Sequence, residues 1–221
     1  MKTRTYFYRI SCLLMIILGI QIMLGCKASN AVKGTAIGAG SGAAIGGIIG
    51  RQAGNTALGA IIGAAVGGGT GAIIGRHMDK QAEELRADLK GATVERVGEG
   101  IKITFDSGLM FDYDSYILTS ATKGNLTNLS KTLNKYPDTN ILVEGHTDKT
   151  GAEDYNMALS TRRGQAVTDY LKQGNVAGSR ISTEGYGEEQ LISENDQTNR
   201  RVEVAIFANK KMKKAAEKGQ L

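Results

Sequence analysis

The sequence predicts an α/β protein in which a sandwich of a mixed β-sheet with packed helices follows a glycine-zipper helical hairpin. Three observations predict it. Glycine recurs every fourth residue, in two runs, between Gly34 and Gly75. After Gly91 the apolar period falls to two, at Ile101, Ile103 and Phe105 and again at Val202, Val204 and Ile206. Between those strand-like segments, apolar residues return to helical spacing. Most of the 30 glycines fall before residue 101, proline occurs once and tryptophan is absent. Glycine therefore organises the N-terminal half.

The chain opens on an export signal, expected over residues 1–25. Lys2, Arg4 and Arg9 supply the positive start, and Cys12 to Leu24 form an apolar run too short for a spanning helix. The segment Met23-Leu24-Gly25-Cys26 resembles the lipobox of bacterial lipoproteins, with methionine where that pattern usually has leucine. The resemblance implies that Cys26 is acylated and becomes the mature N-terminus, with a lipidated linker over 26–33. The alternative is that Cys26 is a small apolar residue ending an uncleaved anchor. Cleavage before Cys26 would discard Cys12 and leave one cysteine, too few for an internal disulfide. It would also take the formal charge from +5 to +2 by removing three cations. No basic stripe with interleaved aromatics remains, so a nucleic-acid partner is not expected.

The zipper hairpin is expected over 34–76. Gly34, Gly38, Gly42, Gly46 and Gly50 are repeated 25 residues later as Gly59, Gly63, Gly67, Gly71 and Gly75. A spacing of four puts each set near one face of a helix, where absent side chains let another backbone approach. Glycine disfavours an isolated helix by about 1 kcal/mol per residue relative to alanine, so such a helix needs a partner or a membrane. Arg51 to Asn55 separates two uncharged stretches as a turn. Each stretch would be roughly 25 Å long, slightly short for a hydrocarbon core of about 30 Å. Two readings stay open: a hairpin that spans the outer membrane, and one that packs into a homo-oligomer without spanning.

His77 to Leu89 follows as an amphipathic helix, with Met78, Ala82, Leu85 and Leu89 on one face, read as a helical linker over 77–92 that acts as a spacer. Leu126, Leu129, Leu133 and Tyr136 mark one helix and Tyr155 to Lys172 a second. Ile141 to Glu144 and Ile181 to Tyr186 read as strands. The alternation gives a compact domain over 93–208. Residues 209–221, with five lysines from Lys210 to Lys218, read as a solvated basic tail.

One side chain is out of place in this pattern. Arg163 stands four residues from both Leu159 and Val167, on the apolar stripe, and a guanidinium there needs an anionic partner or ligand. Asp148, ending Val143-Glu144-Gly145-His146-Thr147-Asp148, is the nearest carboxylate at a loop mouth. Five ordered motifs then appear: Gly145-His146-Thr147-Asp148; Gly151 with Tyr155-Asn156; Leu159-Ser160 with Arg163; Gly185-Tyr186-Gly187-Glu188; and Asn199-Arg200-Arg201-Val202-Glu203. Together, over about residues 95 to 207, they resemble the OmpA-like C-terminal domain. With the lipobox and zipper, the architecture is similar to the glycine-zipper outer-membrane lipoproteins of that family.

The resemblance implies a function. In that family the aspartate of this loop and the arginine past the Leu-Ser pair bind the diaminopimelate of the peptidoglycan stem peptide, roles that fall here to Asp148 and Arg163. The free end of diaminopimelate carries an ammonium and a carboxylate, which a carboxylate and a guanidinium can both pair. Thr147, Asn156, Asn199 and Arg200 match further positions lining the pocket, and Phe111 with Asp112 to Asp114 resembles the loop that closes it. Of Arg200 and Arg201, adjacent at a strand start, one is expected in the site and the other in solvent, with Arg200 weakly preferred. A glycine-arginine insertion common in the family between Asn195 and Asn199 is missing, which shortens that loop.

The expected protein binds peptidoglycan and tethers the outer membrane to it, lipid-anchored, with its C-terminal domain in the periplasm. No cofactor and no metal are expected. His77 and His146 are the only histidines, and neither has a ligating residue with a suitable partner three or four positions away. His146 reads as a satisfied loop histidine, sharing a face with Asp148 if both lie on one strand. No activated serine or cysteine accompanies them, so no enzyme is expected. The competing expectation is a membrane-active or assembly protein working through an oligomerising zipper.

Overall fold

A computed structural model describes residues 55–112 and 114–221. The export signal, Cys26, the linker over 26–33 and the first glycine run lie outside the described residues. The described chain contains helices α1 (Thr56–Ala64) and α2 (Gly68–Asp88), strands β1 (Ala92–Val97) and β2 (Gly100–Asp106), and helices α3 (Ser107–Met110) and α4 (Ser120–Lys135). Then come β3 (Thr139–His146), α5 (Glu153–Gln173), β4 (Ile181–Gly185), α6 (Asp196–Asn199), β5 (Arg201–Ala208) and α7 (Lys210–Glu217).

The strands form one mixed sheet in the order β1-β2-β5-β3-β4. Only β3 and β4 run parallel, joined by the α5 crossover, and the remaining pairs are antiparallel. Residues of like parity share a face. Ile101, Ile103, Ile141, Val143, Val202, Val204 and Ile206 therefore meet α2, α4 and α5 in the main core. The α/β sandwich expected from the sequence is the fold observed. Strand β1 was not anticipated, because as an edge strand it buries nothing fully and its alternation is weak.

The second glycine run differs from the straight arm expected of it. It breaks after α1, and Gly67 and Gly68 take φ of 69° and 62°, a region open to glycine and costly to other residues. The break is held by Glu99, from the turn between β1 and β2, whose carboxylate accepts the Val66 and Gly67 N–H groups at 2.9 and 2.7 Å. Gly71 is needed for that approach, since a Cβ there would lie 2.1 Å from the Glu99 carboxylate. Helix α1 then lies on the sheet's second face, where Ala57, Ala60, Ile61 and Ala64 pack against Leu142, Ala205 and Phe207. Among the described residues no helix is long and apolar enough to cross a membrane.

Two other expectations are corrected. The amphipathic segment read as a spacer is the C-terminal part of α2, and Met78, Ala82, Leu85 and Leu89 all belong to the main core. The basic tail is α7, capped by Asn209, which accepts the Lys211 and Met212 N–H groups. Its four lysines conceal a pair at helical spacing, Met212 and Ala216, both buried in the same core. Met212 is fully buried, so Met212→Ala is expected to cost about 2–5 kcal/mol in urea unfolding. A solvated tail would give no change.

Candidate binding cleft

The ends of β3 and β5, the N-terminal half of α5 and the α3–α4 connection enclose a cleft of about 430 Å³. Close packing of α5 on the sheet sets its floor. A Cβ at Gly145 would fall 2.1 Å from the backbone oxygen of Ser160, so only glycine lets helix and strand meet there. Gly187, at φ 49°, donates its N–H to Ser160 Oγ at 2.8 Å and accepts the Thr147 N–H at 2.8 Å, which ties the loop after β4 to the same floor. Gly145→Ala should therefore destabilise the fold by about 3 kcal/mol, at the upper end for overpacking because backbone is in the way. Urea unfolding with an unchanged midpoint would contradict this.

The predicted site residues Asp148, Arg163, Thr147, Asn156, Arg200 and Asp114 all line this cleft, with Phe111 and Asp112. Asp148 is 6% exposed; its Oδ1 accepts the Thr150 N–H at 2.8 Å and its Oδ2 accepts Arg200 at 2.5 Å. Burial opposes ionisation of Asp148, but the hydrogen bonds from Arg200 and Thr150 outweigh it and hold the carboxyl below its usual range. Its ionisation thus contributes stability above an ordinary aspartate pKa, lost as pH falls through the lowered value.

Arg163, also 6% exposed, lies with its guanidinium 5.2 Å from the Phe111 ring centroid and donates Nε–H to the Ser115 carbonyl at 2.9 Å. Among the described residues it forms no salt bridge with a carboxylate. Burial lowers its pKa, and the nearby Asp114 charge opposes that. Asp114, at φ 55°, accepts a hydrogen bond from Tyr155 and closes the far wall. The Arg162 side chain is exposed, over Tyr116. The apolar-stripe anomaly thus marks a buried cation on a cleft wall.

Asn156 lines the cleft but spends its amide on structure, donating to the carbonyls of Asp148 and Thr150 and to Glu188 Oε2 at 2.7 Å. Thr147 is 4% exposed, and its hydroxyl has no hydrogen-bond partner among the described residues. Asn199 is a correction: it does not line this cleft. Its Oδ1 accepts the Ile192 and Ser193 N–H groups at 2.9 and 3.1 Å and its Nδ2 donates to the Ser193 carbonyl, so it braces the loop before β5. That loop still delivers Arg200, whose carbonyl accepts the Ser107 N–H at 3.0 Å and so joins the two walls. Ser107, Gly108 and Thr150 also line the cleft without a signal in the sequence; Tyr155 and Leu159 line it too, and belong to the ordered motifs but are not expected as site residues. Tyr155 and Leu159 stand one and four residues from named positions on α5, which was the available signal.

The neighbours of these residues overturn two further readings. Arg201 is not in solvent: it is 2% exposed on the sheet's second face, bonded to Glu203 at 2.7 Å. His146 is neither a loop residue nor satisfied. It ends β3, stacks on Tyr186, lines no part of the cleft, and neither ring nitrogen has a hydrogen-bond partner among the described residues.

Residues 110–205 match the OmpA family, and residues 1–79 match the YMGG-like Gly-zipper. The probable lipoprotein YiaD of Escherichia coli (strain K12) is 36% identical over 137 residues, 59% of this chain and 63% of that protein. The chain therefore spans less than two thirds of that relative's length. The peptidoglycan-associated lipoprotein of Mesorhizobium japonicum is 32% identical over 112 residues, 51% of this chain and 67% of that protein. Among solved structures, a putative MotB-like protein from Desulfovibrio vulgaris superposes with a TM-score of 0.54 over 62% of this chain and 95% of that one. At 18% identity that is a likeness of fold alone. The ordered motifs, the mixed sheet with its loop-bordered cleft and the match over residues 110–205 converge: the chain belongs to the OmpA family and carries a YMGG-like Gly-zipper segment ahead of that domain.

Proposed function

We propose that the chain is a non-catalytic envelope anchor whose cleft binds the diaminopimelate of peptidoglycan stem peptides. In this reading acylation at Cys26 holds the protein in the outer membrane, and the domain that follows the zipper grips the wall from the periplasm. One observation carries it: the cleft presents an ionised carboxylate, Asp148, and a buried guanidinium, Arg163, with no carboxylate partner among the described residues. A ligand end bearing both an ammonium and a carboxylate matches that pair through charge-assisted hydrogen bonds. Arg200 holds Asp148 in place before the ligand arrives, and the unpartnered Thr147 hydroxyl is a further polar contact. The name of the Mesorhizobium relative, a peptidoglycan-associated lipoprotein, supports the same class of ligand.

The test is co-sedimentation of the mature chain, without its lipid, on two kinds of purified peptidoglycan. A lysine-type stem lacks the second carboxylate and would leave Arg163 unpaired. Retention on diaminopimelate-type material is expected to exceed retention on lysine-type material by tenfold or more, and Asp148→Ala should lose a comparable factor, since hydrogen bonds to charged groups contribute about 1.5–3 kcal/mol each. Equal retention on both materials, or full retention by folded Asp148→Ala, would sink the proposal.

A further inference from the structure

The second face of the sheet buries a cluster that the cleft does not use. Glu144 and His146 stand two residues apart on β3 and so share a face, and Glu203 is paired directly opposite Glu144 on β5. One donor atom from each of the three lies within 4.8 Å of the others. All three side chains are at most 1% exposed. Neither nitrogen of His146 has a hydrogen-bond partner among the described residues, and Glu144 has no well-formed hydrogen bond, the Ala57 N–H of α1 giving it only a weak backbone contact. His146 Nε2 and Glu144 Oε2 are 3.8 Å apart, too far to bond each other.

Buried polar groups are almost always satisfied, and a buried carboxylate without a partner is strongly unfavourable. Arg201 does not resolve this, because its Nε serves Glu203 Oε1 and its other nitrogens serve the carbonyls of Asn199 and Gln190. Lys102, also near, pairs with Glu95. Burial, reinforced by the Arg201 and Lys102 charges, keeps His146 neutral, the form whose ring nitrogen has a lone pair to offer.

We propose that Glu144, His146 and Glu203 form a binding site for a divalent transition-metal ion of the zinc class. One imidazole nitrogen and two carboxylates are ligands that zinc accepts, and calcium or magnesium would call for more oxygens. Atoms bound to a tetrahedral zinc at about 2.0–2.1 Å lie roughly 3.4 Å apart, so modest side-chain rotation closes the set. Arg201 then has an outer role, holding one oxygen of Glu203 so that the carboxylate keeps its orientation. The two carboxylates match the charge of a divalent ion. Helix α1 roofs this face, with Thr56 and Gln190 hydrogen-bonded to each other, so occupancy of the site and docking of the zipper segment are linked. The competing occupant is a proton on Glu144, whose carboxyl burial and the Glu203 charge push well above its ordinary range.

The experiment strips the mature chain, carrying Cys26→Ser to remove a competing thiol, with chelator and titrates it with Co²⁺ and then Zn²⁺. The expected result is one equivalent of Co²⁺ with the visible absorption of a four- or five-coordinate ion, displaced by Zn²⁺, and a rise in Tm on adding Zn²⁺. Glu144→Gln and His146→Gln should each weaken uptake at least tenfold, whereas His77→Gln should not change it. Absence of stoichiometric uptake, a spectrum of six-coordinate hydrated Co²⁺, or uptake unaffected by Glu144→Gln and His146→Gln would overturn the proposal. The unsubstituted cluster's stoichiometry and spectrum decide the matter even if a variant fails to fold.

Discussion

Arg163→Met is expected to weaken binding to diaminopimelate-type peptidoglycan at least tenfold while leaving folding stability within about 1 kcal/mol of the parent chain. The two effects separate because the guanidinium has so little to do in the free protein. Among the described residues it donates one hydrogen bond, to the Ser115 carbonyl, and has no salt-bridged carboxylate. Methionine replaces its aliphatic length against Phe111 and removes a desolvated charge, which offsets the lost bond. The ligand carboxylate, by contrast, loses its charge-assisted partner, a loss of about 1.5–3 kcal/mol or roughly tenfold to more than a hundredfold. Arg163→Lys keeps the charge and loses the planar fork, so it should recover only part of the binding. Co-sedimentation and urea unfolding on the same preparations check both halves. A destabilised variant with unchanged binding would place Arg163 in the core and remove it from the site.

The cleft was legible in the sequence because its chief signal is a violation of pattern. A guanidinium on the apolar stripe of α5 is conspicuous, and the loop motif after β3 supplies its companion carboxylate. What the sequence hid follows largely from one misreading. An uncharged glycine run suggests a membrane or another helix as its partner, and nothing local says that nine of its residues fold back onto the chain's own sheet. With that face taken as bare, Glu144, His146, Arg201 and Glu203 alternate with Val143, Gly145, Val202 and Val204 as water-facing residues should. Under α1 the same residues are interior. A spacing of three or four brings side chains together on a helix; on a strand the spacing that counts is two, with a third group across the ladder. The tail's packing is hidden for a simpler reason: lysines on α7 outnumber the buried Met212 and Ala216 that hold it to the core.

Arg201→Met should cost about 3–5 kcal/mol when measured in chelator, so that no added ion compensates the exposed deficit. Arg201 is 2% exposed and anchors three partners: Glu203, the Asn199 carbonyl and the Gln190 carbonyl. Removing the cation leaves the Glu203 carboxylate buried and unpaired opposite the Glu144 carboxyl on the β3–β5 ladder, and two buried carbonyls lose a donor. Because whole domains are stable by only about 5–15 kcal/mol, a loss of this size consumes a large share of the total. A second change separates charge from packing. Adding Glu203→Leu to Arg201→Met removes the orphaned anion with its partner, and an apolar pair of similar volume should restore much of the stability. The damage should also travel to α1, since Gln190, held by Arg201, bonds Thr56 at the start of that helix. Hydrogen exchange of the α1 amides should therefore rise in Arg201→Met beyond what global unfolding explains, and stay raised in the double variant, which also lacks the bond to the Gln190 carbonyl. Protection of α1 unchanged in the single variant would mean that its apolar contacts with Leu142, Ala205 and Phe207 dock it without help from the buried charges.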